Sequence, residues 1–187
     1  LNRFAQSSNE EMVQAITELQ SEGMQSLILD LRGNGGGYLN VAVDICDQFL
    51  SGDKLIVYTK GAKSPRQELK AQKKGLFEQG RLVIMVDESS ASASEILSGA
   101  VQDWDRGVIV GRRTFGKGLV QRPFDMYDGS QIRLTTSRYY TPSGRCIQKP
   151  YDAGVEEYQM DYYNRLSHGE LLSADSVHFA DSLRCFT

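Results

Sequence analysis

The sequence predicts an α/β fold with a largely parallel sheet and a β-hairpin near the candidate site. Three observations predict it. Short apolar, β-branched runs alternate with stretches whose apolar residues recur every three or four positions. Glycine- or serine-rich loops at 32–37, 88–92 and 111–118 follow three of those runs. Two later strand-like segments flank Asp128-Gly129, a hairpin signal.

The 187 residues suffice for one domain with a real core. Hydrophobic residues make up 40% and charged residues 24%, an ordinary globular balance. A net charge of −3 argues against a nucleic-acid surface, and no apolar run reaches membrane-spanning length. Cys46, Cys146 and Cys185 are too sparse for a disulfide framework or a zinc pattern, and Cys46 reads as core. The chain starts at Leu1 without a methionine and reads as a fragment, so the missing signal peptide says nothing about the parent protein.

In order, Ser8-Asn9-Glu10-Glu11 reads as a capping box opening a helix that Gly23 ends. Met24 to Leu31 reads as a strand apolar enough to be central. The glycine loop comes next, then a helix carrying Val41, Ile45 and Phe49, then a strand from Lys54 to Thr59. Lys63 to Gln79 lacks a clear period and reads as an exposed excursion with one or two helical turns. Arg81 to Val86 is a buried strand, and Ala93, Ile96, Leu97, Ala100, Val101 and Trp104 mark the buried face of a helix. Val108 to Val110 is a further strand. Leu119 to Phe124 and Gln131 to Tyr139 form the hairpin. The organisation is a core over 1–150, incomplete at its N-terminus, and a segment over 151–187, weakly structured or truncated, whose end from Ser173 to Thr187 breaks off before the core is complete.

Three loops at the carboxyl ends of strands form the usual site of an open α/β sheet, which brings Gly33–Gly37, Ser92 and Lys117 together. Ser92 lies where a strand runs into a helix N-terminus, a position suited to a developing oxyanion. Ser92-Ala93-Ser94-Glu95 equally fits a plain capping box. A serine nucleophile needs a base. The two histidines, His168 and His178, lie in the last fifth, which disfavours a Ser-His-Asp triad. Lys117 is the other candidate base if burial beside an apolar group such as Phe115 favours its neutral form; otherwise it is a solvated loop lysine. Gly35-Gly36-Gly37 either lets backbone approach a ligand or is a flexible turn. Gly111 to Lys117 matches the opening of a phosphate-binding P-loop, but Gly118 stands where Ser or Thr must hold Mg²⁺, and a strand comes next instead of a helix.

Four segments stand in order: Asp30-Leu31-Arg32-Gly33-Asn34-Gly35-Gly36-Gly37, Ser90-Ala91-Ser92-Ala93-Ser94-Glu95-Ile96, Thr114-Phe115-Gly116-Lys117-Gly118-Leu119-Val120-Gln121, and Leu134 to Arg145. Together they resemble the S41 family of serine peptidases, the C-terminal processing (tail-specific) proteases. The resemblance implies a crotonase/ClpP-like spiral of ββα units. It also implies a serine endopeptidase that cuts extended polypeptides near their C-termini through an acyl-enzyme. Ser92 is then the nucleophile, Lys117 the general base and Gln121 the residue that orients it. The N–H of Ala93 and that of Gly36 or Gly37 form the oxyanion hole. No cofactor and no metal are implied. A PDZ domain is implied in the full-length protein, and so is a periplasmic or cell-envelope location. The alternative is a catalytically inactive peptide-binding domain of the same fold.

Overall fold

A computed structural model describes residues 1–173. The readings that fall beyond Ser173, including His178 and Cys185, lie outside the described residues. The elements run α1 (Ser8–Ser21), β1 (Ser26–Asp30), α2 (Leu39–Asp47), β2 (Leu55–Lys60), β3 (Gln67–Lys70), β4 (Arg81–Val86), α3 (Ala93–Asp103), β5 (Val108–Gly111), β6 (Leu119–Asp125), β7 (Gln131–Tyr140) and α4 (Val155–Ser167).

They build a mixed α/β fold with two sheets. The parallel sheet has the order β1-β4-β5, and the antiparallel sheet has the order β3-β2-β7-β6. β4 is therefore the central parallel strand, with Leu82, Ile84 and Val86 buried on one face. β1 is an edge strand, contrary to the central place its composition suggested, and Ile28 on its outer face is 64% exposed. The antiparallel sheet is the larger of the two, because residues 63–79 are not the helical excursion expected. β3 pairs with β2 from Thr59↔Gln67 to Leu55↔Lys70. The segment after β3 is fastened down: buried Asp47 accepts the N–H groups of Gln72 and Lys73, and Phe77 enters the core.

Phe49, Ile45, Leu50, Ile56, Ile84 and Leu97 are fully buried among α2, α3 and both sheets. Cys46 lies in the same core, and burial pushes its thiol pKa up. α3 connects the sheets. It packs on α2 and β2, and Trp104 Nε1 at its end donates to Leu55 O at 2.8 Å. α1 ends before Gly23 (φ +92°) as expected. Its start differs: Ser8 is the first helical residue, and its hydroxyl turns back to bind Arg3 O and the Ala5 N–H. Residues 151–173, which had suggested little structure, contain α4. Among the described residues no helix is long and apolar enough to cross a membrane.

Candidate active site

β1 and β4 are parallel neighbours, so their carboxyl-end loops lie side by side. Asp87, just past β4, stitches them together. Its Oδ1 accepts the N–H groups of Ser89 and Ser90 at 3.0 Å each, which shapes the turn. The same carboxylate accepts the Gly33 N–H from the neighbouring loop at 3.0 Å. Buried Ser90 donates its hydroxyl to Leu31 O at 2.8 Å.

Asn34 is fully buried inside the glycine loop. Its Oδ1 accepts the Gly36 N–H at 2.9 Å, and its Nδ2 donates to Leu1 O at 2.8 Å. Its carbonyl accepts both the Ala91 N–H (3.0 Å) and the Ser94 hydroxyl (2.8 Å). The loop is thereby pressed onto the turn that carries Ser92. A Cβ on Gly36 would sit 2.7 Å from Ala91 O, 2.8 Å from Ser92 Cβ and 2.9 Å from Ala93 N, so only glycine permits this approach. Phe4 bonds to the two residues flanking Gly37, donating to Gly36 O and accepting from the Tyr38 N–H. The Gly37 N–H itself has no acceptor among the described residues.

Ser92 holds φ +58° and ψ −110°, outside the extended region usual for an N-cap. Such a conformation costs about 1–3 kcal/mol in a non-glycine residue and persists only where its surroundings enforce it. Here Asn34 grips residues 91 and 94, and Glu95 holds Ser92 itself. The Ala93 N–H opens α3 and has no acceptor among the described residues.

Glu95 is fully buried one turn into α3, where its charge also suits the helix dipole. Its Oε2 accepts the Ser92 N–H at 2.7 Å and the Lys117 N–H at 2.9 Å. Its Oε1 accepts the Gly116 N–H at 2.6 Å and the Thr114 hydroxyl at 2.8 Å. Burial pushes its carboxyl pKa up, opposed by these four donors. All four lone-pair positions face donors, which is the hydrogen-bonding pattern of an ionised carboxylate.

The lysine loop is clamped from its other side. The Gly116 carbonyl accepts the Lys149 N–H at 3.0 Å, and Gln148 Oε1 accepts the Gly118 N–H at 2.9 Å. Arg165 of α4 is 4% exposed and donates to Arg113 O at 2.5 Å and Thr114 O at 3.5 Å. Its Nε bonds Glu170, which also binds Arg113. Beyond the loop, β6 carries Gln121 opposite Thr135. The ladder there slips by one residue, leaving Thr136 of β7 as the bulged residue.

The profile of peptidase family S41 matches residues 1–157. The chain belongs to peptidase family S41. Carboxyl-terminal-processing peptidase 3, chloroplastic, of Arabidopsis thaliana is 40% identical over 146 residues, covering 76% of this chain and 28% of that protein. A carboxyl-terminal-processing protease of Synechocystis sp. is 34% identical over all 187 residues and 43% of its own length. The solved photosystem II D1 C-terminal processing protease is similar in fold, with a TM-score of 0.75 and 38% identity over 79% of this chain and 38% of that one. This chain therefore spans less than half the length of these relatives.

In this S41 chain, Ser92, Ala93 and Gly36 lie in one contact cluster with Gly37 next along the chain, and the Lys117 backbone joins it through Glu95. The side chains of Lys117 and Gln121 do not join it. Both residues are exposed, and among the described residues no hydrogen bond links the Lys117 ammonium to Ser92 or to Gln121. Phe115 does not desolvate Lys117. Its ring faces the Lys149 ammonium at 4.7 Å. The Gly36 N–H is spent on Asn34, leaving Gly37 with the free donor of the pair. A strand, β6, comes after Gly118, which removes the P-loop alternative. Sequence reasoning took Glu95 only as half of a capping box and passed over Asn34, Asp87 and Arg165.

Proposed function

We propose that this chain is the catalytic core of a serine endopeptidase that uses Ser92 and Lys117 as nucleophile and base, with Gln121 orienting the lysine. The shared carboxylate oxygen between the Ser92 and Lys117 backbone amides carries the reading. It fixes the two loops in one frame while leaving the lysine side chain free to turn toward the serine, and catalytic contacts of this kind commonly tighten only when substrate binds.

In the reaction, Ser92 Oγ attacks the scissile carbonyl and its proton passes to Lys117 Nζ. The oxyanion accepts hydrogen bonds from the Ala93 and Gly37 N–H groups, each such donor worth about 10²–10³ in rate. Gly36 serves by having no side chain. Collapse of the tetrahedral intermediate breaks the C–N bond, and the Lys117 ammonium returns the proton to the leaving amine. Water then attacks the Ser92 ester as Lys117 takes its proton, and Lys117 passes that proton to Ser92 Oγ as the ester C–O bond breaks and the new carboxyl terminus leaves.

The names of the relatives support polypeptides cut at their C-terminal ends as substrates. Family resemblance supports a PDZ domain in the full-length protein and a periplasmic or envelope location. The parallel β1-β4-β5 sheet with α2 and α3 supports a crotonase/ClpP-like spiral.

An acylating serine-directed probe tests the mechanism. It labels the protein and not Ser92→Ala, and labelling drops sharply in Lys117→Ala. Equal labelling of Ser92→Ala overturns the assignment and favours the inactive peptide-binding alternative.

A further inference from the structure

We propose that the cleft between the β2–β3 turn and β7 is a docking site for an extended acidic segment of a polypeptide, which adds as a strand to the free edge of β7. Two independent features meet there, one of backbone and one of charge.

The backbone feature is an incomplete ladder. β7 pairs with β6 from Gln131 to Arg138, but with β2 only from Arg138 to Tyr140. The bulge at Thr136 falls just where β2 departs. At this point the backbones touch: a Cβ on Gly61 would lie 2.0 Å from Thr136 O. Beyond it they splay, and the edge of β7 from Gln131 to Ser137 that faces away from β6 has no partner strand among the described residues. A free edge of this kind is a template for strand addition. The outer edge of β6 is a poorer template, because Pro123 lacks an N–H.

The charge feature is the lining. The cleft encloses about 730 Å³ and is bordered by Lys60, Gly61, Lys63, Leu134, Thr136 and Arg138, with no Asp or Glu among its lining residues. Lys60 and Lys63 are exposed and form no salt bridge among the described residues. Glu68 on β3 is already taken by Arg66 and Lys70. Arg138 is held by the Tyr151 hydroxyl at 2.8 Å, so its cation is fixed at the cleft wall. Just outside, Phe124 and Ile132 sit opposite one another on the hairpin and are both exposed, as is Leu134. An extended segment that alternates acidic and apolar side chains matches both surfaces, and strand pairing would satisfy its backbone. An anionic lipid headgroup would meet the cations but make no use of a row of in-register N–H and C=O groups.

Arg138 pairs with Leu119, two residues past Lys117, so a docked segment lies one strand from the lysine loop. Naming that segment as part of the substrate rests on the protease reading; the binding itself does not.

The test is fluorescence anisotropy with a labelled ten-residue peptide alternating Glu with Val or Leu, on the Ser92→Ala protein so that nothing is cleaved. Binding is expected to weaken by at least about tenfold in Lys60→Glu/Lys63→Glu, to fall with added salt, and to vanish when alternate peptide amides are N-methylated. Equal binding of the N-methylated peptide removes strand addition, and equal binding by the charge-reversed protein removes the basic cleft. Binding of phosphatidylglycerol vesicles in place of the peptide overturns the proposal in favour of a membrane surface. Hydrolysis of a short neutral peptide by the unmodified protein separates the two readings. Hydrolysis without acidic-peptide binding sinks the docking site alone, and binding without hydrolysis sinks the protease alone.

Discussion

One oxygen atom, Glu95 Oε2, accepts the backbone N–H of both Ser92 (2.7 Å) and Lys117 (2.9 Å). The two residues are 25 positions apart and belong to different loops. Their registration depends on one buried carboxylate with donors at all four lone-pair positions. Glu95→Gln keeps the shape and places an NH₂ where two of those donors already point. A buried polar clash and unpaired donors of this kind cost about 1–3 kcal/mol. The urea midpoint of Glu95→Gln should fall accordingly, and peptide hydrolysis should fall further than stability alone explains. An unchanged midpoint would mean that the carboxylate is protonated in the folded state and already donates.

Gly36 and Gly35 are adjacent and should respond oppositely to alanine. At Gly36 the new methyl would strike Ala91 O, Ser92 Cβ and the Ala93 nitrogen. At Gly35 nothing lies within 4 Å. Gly36→Ala must push the glycine loop off the Ser92 turn, so a loss in kcat of about 10² or more is expected, the scale of losing one oxyanion donor. Gly35→Ala should stay near the unmodified protein in both kcat and thermal midpoint. Comparable kcat values for the two variants would place the oxyanion site elsewhere.

The sequence made the strands and helices of the parallel sheet legible because each carries its own period: Arg81–Val86 and Ala93–Asp103 could be read from their residues alone. β3 could not. Gln-Glu-Leu-Lys has a single apolar residue, Leu69, too little to show a period, and becomes a strand because β2 offers it an edge and Asp47 anchors Gln72 and Lys73 just beyond it. The same distinction runs through the site. Ser92, Lys117 and the glycines stood out by local motif. Asn34, Glu95 and Arg165 join the loops through contacts that also reach 19 to 60 residues away, and no local pattern encodes those. Ser92 looked like an ordinary cap because S-x-x-E describes the Glu95 contact correctly; its φ of +58° sets it apart, and that is invisible in sequence.

The far end of α3 gives a pH test. Asp103 accepts the Ser143 N–H at 2.8 Å and pairs with Arg145. Burial raises its pKa, but the Thr141 hydroxyl, the Ser143 N–H and hydroxyl, and the Arg145 guanidinium outweigh it and hold the carboxyl below its ordinary value. A lowered folded pKa means that the unfolded chain takes up the proton first on acidification. The stabilisation is therefore complete above the unfolded pKa of about 3.9 and is lost as pH falls through the folded value. The urea midpoint of the unmodified protein should exceed that of Asp103→Asn at pH 7, and the gap should close below about pH 4. A gap independent of pH would assign the stabilisation to hydrogen bonding that asparagine also fails to supply, and not to charge.

α4 reaches the lysine loop through Arg165, whose buried guanidinium donates to the carbonyls of Arg113 and Thr114 and pairs with Glu170. Thr114 in turn gives its hydroxyl to Glu95. The route from α4 to Ser92 is thus an unbroken set of hydrogen bonds. Arg165→Met keeps the aliphatic stem and removes every donor, leaving the Arg113 and Thr114 carbonyls without this partner while Glu170 keeps its pair with Arg113. Leaving a buried carbonyl of this kind without its donor costs about 1–3 kcal/mol. The loss should appear first as local opening: amide hydrogen exchange at Gly116 and Lys117 should speed up while the amides of β4 keep their protection. Arg165→Lys keeps the charge and one contact and should fall between the two. Faster exchange throughout the molecule would instead make Arg165 a general stabiliser of the fold, and unchanged exchange at Gly116 and Lys117 would leave Glu95 and Lys149 as sufficient anchors of the loop.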